Sequence, residues 1–553
     1  MSAERADAGG VSPAAATATR KIEIYDTTLR DGSQLEGISL TVDDKLRIAE
    51  QLDFLGVDFI EAGWPGANPK DDELFRRLPH DLHVTSSTVV AFGSTRRAKG
   101  KVDSDDTLRH LVDSGAGTVC IVGKSWDYHV TEALGTTLDE GVAMVRDSVE
   151  FLRGAGLDVL FDAEHFFDGY VRNSEFALRV LEAAAEAGAF RLVLCDTNGG
   201  ALPHDVERIV HEVVEYFGRD VGVSVHFHDD GGTGVANALA GVRGGAMQVQ
   251  GTINGYGERT GNCNLTTIIP NLTLKMGYET IPRDRLERLT PVAHHVAELV
   301  NMPLNAQAPY VGHSAFAHKA GLHTSAIAKR PDAYEHVDPQ TVGNGTRFVV
   351  SELAGRSTLV MKARELGLDL DGPQVSEIVE QLKQLEHEGY HFEVADGSLE
   401  LLMRRAAGWR PGWFDVESFR VITDDSRGVD TLTGETSATV MTEATVKAYV
   451  DGVRQIATAE GNGPVNALDR ALRNALNGRF PALERVHLID YKVRVLDTNK
   501  GTEAVTRVLI DSTDGDATWT TIGVNENIIE ASWQALLDSI HYGLLRSTST
   551  GAE

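Results

Sequence analysis

KIEIYDTTLRDGSQLEGISLTVDDKLRIAEQLDFLGVDFIEAG, residues 21–63, opens with a β-type run, crosses a polar loop and enters an amphipathic segment whose apolar residues recur at three and four. That segment closes on Gly56, and a second β-type run begins at Phe59. The same strand–loop–helix unit recurs along the chain. Further strand starts fall near His83 (HVTSSTVV), Thr118 (TVCIVG), Leu157 (LDVLFDAE), Arg191 (RLVLCDT), Val221 (VGVSVHFH) and Gln248 (QVQGTI), separated by helix-like stretches such as SEFALRVLEAAAEAG. Eight βα units in about 270 residues is the arithmetic of a TIM (β/α)8 barrel, expected over residues 21–290. A doubly wound open sheet is the alternative, but it calls for a phosphate-binding Gly turn after the first strand. That turn is absent. The nearest P-loop look-alike, GTVCIVGKS at Gly117–Ser125, has one residue too many between its glycines, and its spacer is a hydrophobic strand.

Lys and Arg number 52 against 81 Asp and Glu, a formal net charge of −29 over 553 residues. This excludes a general nucleic-acid binder, because phosphate affinity rests on clustered cations. No run approaches the ~18 consecutive apolar residues of a membrane span, so no membrane partner is expected. Cys120, Cys195 and Cys263 stand far apart, without disulfide or zinc spacing, which fits a reducing cytoplasm. All three are read as inert core thiols. Residues 1–20, rich in Ala, Gly and Ser, have no apolar h-region and read as a disordered tail.

Beyond the barrel, residues 291–411 read as a helical connector (PVAHHVAELVN, SEIVEQLKQLEHEG) expected to cover the barrel mouth. From 412 to 546 two similar halves follow, SATVMTEATVKAYV with GPVNALDRALRNAL, then YKVRVLDT and AVTRVLIDST with NIIEASWQALLDSI. A duplicated β-then-α unit without a catalytic cluster reads as an α+β regulatory domain that dimerises or senses a ligand. The Gly-rich turn GNGPVN could offer backbone N–H groups to a carboxylate there, or simply start a helix. Residues 547–553 read as a second tail.

In a TIM barrel the C-terminal strand ends carry the active site. Strand one leads to Thr28, Arg30, Asp31 and Gln34, strand two to Glu61, strand five to Asp162 and Glu164, and strand six to Asp196 and Thr197. Strand seven leads to His226 and His228. These two histidines lie one residue apart on a strand, so both imidazoles face one way. A lone His-x-His is common on half-buried strands. Asp31 from another strand end adds a hard carboxylate and Asn262 a carbonyl oxygen, a donor set for a divalent metal, Mn, Mg or Zn, acting as Lewis acid. Arg30 beside Asp31 is placed to stabilise an oxyanion or enolate. Asp162 shares a strand face with Glu164 and is expected to line the same pocket.

The stretches around LRDG, HFHDDGGTGVANAL, GTINGYGERTGNCNL and AFAHKAGLHTSAIAKRPDAYEHVDPQTVGN, taken in this order, resemble the 2-isopropylmalate, homocitrate and citramalate synthase family over nearly the whole chain after residue 20. The closest likeness is to citramalate synthases with a regulatory domain. The resemblance implies a metal held by Asp31, His226 and His228 with Asn262 at or near it. It places Arg30 at the keto oxygen, Thr197 at the substrate carboxylate and Glu164 working with His323 of AGLH, Tyr334 being a further catalytic candidate; Gln34 and Asp162, at their strand ends, are substrate-binding candidates beside these. Acetyl-CoA is the implied co-substrate and pyruvate the implied acceptor. Isoleucine is then the expected feedback inhibitor of a homodimer. One departure is Asp229, where many relatives read HxHND; an extra carboxylate there bears on metal preference.

A Claisen condensation fits these residues. The methyl protons of acetyl-CoA are weakly acidic, so a base must sit beside them and the enolate must be stabilised as it forms. Three rivals remain at this level: a 2-isopropylmalate synthase using 2-oxoisovalerate, a hydroxymethylglutaryl-CoA-lyase-like lyase, and a non-catalytic amino-acid sensor. The lyases resembled carry a Gly-rich loop with a catalytic Cys after the last strand, whereas this chain has GYGERTGNCNL. Retention of Arg30, Asp31, Glu164, His226, His228 and His323 argues against the sensor.

Overall fold

Eight short runs each bury two faces, one toward the barrel interior and one toward the helices. The strands are β1 (Glu23–Asp26), β2 (Phe59–Gly63), β3 (Thr88–Ser94), β4 (Thr118–Lys124), β5 (Asp158–Glu164), β6 (Arg191–Asp196), β7 (Gly222–Phe227) and β8 (Gln248–Gly251), all parallel and joined in sequence order. β1 also pairs with β8, Glu23 opposite Gln248 through to Asp26 opposite Gly251, which completes the closure. The computed structural model describes residues 20–218, 221–319, 323, 326–327, 329–349, 356–429, 436–476, 478–496 and 503–550. The tail expected over residues 1–20 lies outside these apart from Arg20, whose guanidinium bonds the Ala246 carbonyl at 2.8 Å.

Side-chain parity fixes what faces inward. On β4, Val119 and Ile121 pack outward against the helices while Cys120 and Val122 point into the barrel; on β5, Val159, Phe161 and Ala163 face out and Leu160 faces in. The interior is a small cluster of Tyr25, Val90, Phe92, Cys120 and Leu160, and the larger core lies between strands and helices. Helix α1 (Val42–Leu55) shows how the outer layer is set. Thr41 and Asp44 form a capping box at its start, Gly56 ends it at φ +93°, and Leu46, Ala49, Leu52 and Leu55 are buried. Each such buried leucine contributes about 1.5–3 kcal/mol relative to exposure.

Two expected boundaries shift. The third strand begins at Thr88, not near His83, because the backbone N–H groups of Thr85, Ser86 and Ser87 all donate to the Asp53 carboxylate at 2.8–2.9 Å and so are lost to a ladder. Helix α5 (Phe166–Glu186) starts eight residues before Ser174, the expected start, and breaks at Asn173 (φ −151°, ψ 76°). The remaining barrel helices used below are α3 (Asp106–Asp113), α4 (Leu138–Gly154), α7 (Gly234–Gly244) and α9 (Leu289–Leu299).

The chain divides into two compact units. One ends at Phe316 and takes back Glu335–Thr346; the other comprises Ala317–Tyr334 and the described residues from Arg347 on. The connector expected over 291–411 is therefore split. The reason is packing: Val292, Ala293 and Val296 of α9 are buried in the barrel's outer core, and Asn344 donates to the Tyr310 carbonyl at 2.8 Å. In the second unit, β9 (Ala317–His318) pairs in parallel with β10 (Arg347–Phe348), and helices Arg356–Glu365, Gly372–His387 and Asp396–Ala406 share a core with Ile522 and Val524.

The duplicated halves are each three antiparallel strands and a helix. β11 (Phe414–Val429), β12 (Thr436–Val450) and β13 (Val453–Gly461) precede helix Pro464–Leu476; β14 (His487–Val495), β15 (Thr506–Thr513) and β16 (Thr518–Asn525) precede helix Ile528–Thr550. GNGPVN is the turn from β13 into the first of these helices. The last helix runs to Thr550, past the expected boundary at 546.

Candidate active site

Asp31 follows β1, His226 belongs to β7, and His228 and Asn262 meet in an isolated bridge beyond the strand ends. His226 Nε2 lies 3.5 Å and His228 Nε2 3.8 Å from Asp31 Oδ2, and one ligand atom from each residue fits within 4.8 Å of the others. All three are buried. Asn262 donates through Nδ2 to Asp31 Oδ2 at 2.9 Å. Its Oδ1, and Nδ1 of His228, are buried without a hydrogen-bond partner. Gly257 makes this approach possible, since a Cβ there would lie 1.8 Å from Asn262 Oδ1. Two imidazoles and a carboxylate fit a divalent metal, and Asn262 turns its amide nitrogen toward them, 3.4 Å from His226 Nε2.

The electrostatics agree with a ligand set. Burial presses Asp31 toward its neutral form, but Arg30 and then the two imidazoles outweigh it and hold its carboxyl down to about 2. Burial, aided by His228, lowers His226 to about 4, so the ring is neutral, the form that binds metal. Gln250 on β8 fixes that ring, its Oε1 3.0 Å from His226 Nδ1. The expected second carboxylate, Asp229, accepts the Gly234 N–H at 2.6 Å and so serves the turn into α7.

Arg30 is held on three sides. Its Nε donates to Glu61 Oε1 at 2.6 Å, its guanidinium carbon lies 3.8 Å from the Phe92 ring centre, and Nη1 is 3.6 Å from Asp31 Oδ2. Tyr25 donates to the other Glu61 oxygen at 2.7 Å. Glu61, wholly buried, is pushed up by burial with Arg30 pulling against it. The result is a cation locked in orientation beside the candidate metal ligands.

Asp162 is buried and paired: Cys120 Sγ and Gln250 Nε2 both lie 3.1 Å from Oδ1. Burial, then the Glu61 charge, raises it to about 7. Gln250 therefore links a histidine of the metal group to a buried acid. Arg30, Asp31, Gln34, Asp162, Glu164, Thr197, His226 and His228 all line one cavity of about 650 Å³. Glu164 is ion-paired with Lys124 at the end of β4. Thr197 Oγ1 accepts the His165 N–H at 3.0 Å. His323 and Tyr334 belong to the second unit, where their rings stack with centres 4.1 Å apart. The three cysteines are buried, Cys120 and Cys195 raised well above the ordinary thiol value by burial, Cys263 to about 12.

Several site residues escape motif reading: Tyr25, Phe92, Lys124 and Gln250, with Glu61 noted only as a strand end. Inward parity at a C-terminal strand end is the signal that points to them. Arg259 of GERTGN is another; it bonds Asp230 Oδ1 at 2.8 Å and the Thr197 carbonyl at 2.8 Å, joining the ends of β6 and β7.

Comparison with known proteins agrees with this geometry. The HMGL-like family model matches residues 21–294, the homocitrate synthase post-HMGL domain-like model residues 310–390, and the LeuA allosteric (dimerisation) domain model residues 393–544. An (R)-citramalate synthase of Aquifex aeolicus is 51% identical over 533 residues, covering 96% of this chain and 99% of that protein. One from Streptomyces coelicolor is 50% identical over 544 residues, 97% and 100% of the two. A probable 2-isopropylmalate synthase of Methanopyrus kandleri is 33% identical over 522 residues, covering 94% and 98%. With the barrel, its candidate metal-ligand group and the duplicated C-terminal domain in place, the chain belongs to the (R)-citramalate synthase family, acyl-transferring condensing enzymes built from an HMGL-like barrel and a LeuA allosteric domain.

Proposed function

We propose that this chain condenses acetyl-CoA with pyruvate and hydrolyses the resulting thioester, giving (R)-citramalate and free CoA for isoleucine synthesis in the cytoplasm. The observation that carries the reading is Arg30, locked by Glu61 and Phe92, standing beside the Asp31–His226–His228 group in one cavity. A divalent metal, Mn, Mg or Zn, held by those three residues with Asn262, supplies Lewis-acid polarisation of the 2-oxo acid. Arg30 stabilises negative charge on the keto oxygen as the carbon–carbon bond forms. Thr197 and Gln34 bind the carboxylate of the 2-oxo acid. His323 takes the methyl proton of the thioester, with Glu164 supporting it and Tyr334 fixing its ring by stacking. Asp162, paired with Cys120 and Gln250, shapes the pocket wall.

The test is acetyl-CoA-dependent thiol release with a panel of 2-oxo acids. Pyruvate is expected to give the highest kcat/KM. A higher value with 2-oxoisovalerate reassigns the chain to 2-isopropylmalate synthesis.

For control, we propose a homodimer through the C-terminal domain with isoleucine as feedback inhibitor. Apolar side chains left exposed on its sheets, Val453 and Ile456 of β13 and Ile489, Val493 and Val495 of β14, support a self-association face. Calorimetry with isoleucine tests the ligand. Leucine binding in its place points to the isopropylmalate reading.

A further inference from the structure

The active-site cavity has a second wall that the metal chemistry does not use. It is built from the β3–α3 connection, where Thr95, Arg96, Arg97 and Ala98 line the same space as Asp31 and His226. Residues 95–101 read TRRAKGK, four cations in seven positions of a chain whose net charge is −29. Three acids follow at Asp103, Asp105 and Asp106, so charge alone does not single the loop out. What does is how its partners are distributed.

Arg96 is buried and fully used, with Glu140 at 2.7 Å from Nη1 and Asp147 at 2.7 Å from Nη2. Asp105 and Glu140 also hold backbone. Arg97 N–H donates to Asp105 Oδ2 at 3.0 Å, Lys99 N–H to Glu140 Oε1 at 2.7 Å, and Arg96 N–H to Ser148 Oγ at 2.9 Å. Asp105 also caps α3. The loop is thus clamped to α3 and α4, tightly enough to hold Lys99 at φ +61°. Arg97, Lys99 and Lys101 are exposed and make no salt bridge among the described residues. A stability role would leave neutral residues here, since a rigid loop gains nothing by crowding unpaired like charges.

We propose that Arg97, Lys99 and Lys101 receive the phosphates of coenzyme A, its diphosphate and 3′-phosphate, while the acyl end reaches Arg30. This rests on the acetyl-CoA reading above. Arg97 lines the cavity and offers a planar fork suited to a phosphate, and the two lysines add point charges farther along the loop. With Arg96 neutralised by Glu140 and Asp147, these three side chains are the loop's cations left for a polyanionic substrate at the mouth of the site.

The experiment compares the full-length protein with a variant carrying Arg97→Gln, Lys99→Asn and Lys101→Gln; Asn is chosen because it tolerates positive φ. Calorimetry uses CoA, adenosine 3′,5′-bisphosphate and pantetheine as probes. Steady-state rates compare acetyl-CoA with S-acetylpantetheine. The variant is expected to bind CoA and the bisphosphate at least about tenfold more weakly, with the pantetheine affinity unmoved. The KM for acetyl-CoA should rise and lose much of its salt dependence. CoA affinity within twofold of the parent overturns the proposal, as does an equal loss for pantetheine. Should the triple variant not fold, Arg97→Gln alone, at an exposed position, decides the question: a loss of about threefold or more for CoA only supports the proposal, and a smaller loss overturns it. Failure of the parent itself to bind CoA or to release thiol from acetyl-CoA overturns the functional reading; binding by the parent with no loss in the variant overturns only the loop assignment.

Discussion

Replacing Gln250 with Leu should uncouple the metal site from its support without touching a ligand. The amide makes two bonds, 3.0 Å to His226 Nδ1 and 3.1 Å to Asp162 Oδ1, and is itself fully buried. Leu keeps much of the volume and removes both. His226 then has nothing to fix which ring nitrogen carries the proton, and its Nε2 spends part of its time protonated and unable to bind metal. Outer-shell changes of this kind cost about 10- to 100-fold in metal affinity, or roughly 1.4–2.7 kcal/mol. Leaving two buried polar groups without this partner costs a further ~1–3 kcal/mol each in stability. Gln250→Glu is the control. It keeps an acceptor toward His226 and replaces the amide donor toward Asp162 with a second acid that shares a proton with it, so its metal affinity should fall less than that of the Leu variant. Calorimetric titration of metal-free protein with Mn2+ reads the affinity, and thermal unfolding of the same samples reads the stability. Mn2+ affinity in the Leu variant within twofold of the parent would refute the reasoning.

Asp31→Ala should abolish metal binding and thiol release while leaving the far-UV circular dichroism unchanged, because the barrel core rests on apolar layers elsewhere; full activity after exhaustive chelation contradicts this. Asp26, raised to about 7 chiefly by burial, binds its proton in the folded state while the unfolded chain releases it above about 4. Its contribution to stability therefore falls as pH rises from about 4 to 7, by about 4 kcal/mol at most, and Asp26→Asn should flatten the urea-unfolding profile across that window. An unchanged slope counts against it. Asp538, which binds Arg405 at 2.9 Å and Ser398 at 2.7 Å, joins the last helix to helix Asp396–Ala406. Asp538→Ala should destabilise the second unit by about 1–3 kcal/mol, less than for a fully buried pair because Arg405 is 37% exposed; a melting profile identical to the parent's is the adverse result.

The barrel is legible in the sequence because its period is short and strict: Val119, Ile121, Val159 and Phe161 are apolar outward, and the inward residues alternate with them. HVTSS misleads because its β-branched residues suit a strand while the N–H groups that follow serve Asp53, a partner some thirty positions away. The metal group is legible from His226 and His228 on one strand and Asp31 at another strand end. Gln250 and Lys124 are not, since a Gln in QVQG or a Lys ending a strand has no chemical signature until the barrel closes around it. The connector's division at Phe316 is likewise hidden. Nothing in the composition of residues 291–346 distinguishes turns that pack on α9 from those that do not. The C-terminal repeat shows its two halves in sequence, but VRQIATAEG and TWTTIGVN, the third strand of each, stay inconspicuous because polar residues interrupt them.

Closure of β1 onto β8 also sets a timetable for synthesis. Asp31 and Asn262, hydrogen-bonded in the finished protein, are 231 residues apart in the chain. At 5–20 residues per second the ribosome takes roughly 12 to 46 s to deliver the second after the first. For most of that interval, from the emergence of β2 to that of β8, the first strand has its β2 neighbour but no partner on its other edge, and Asp31 has neither histidine to meet until late in it. The nascent chain must therefore carry an open sheet with a bare edge, the state most exposed to mispairing, and the metal site can assemble only after the strand that seals the barrel has emerged.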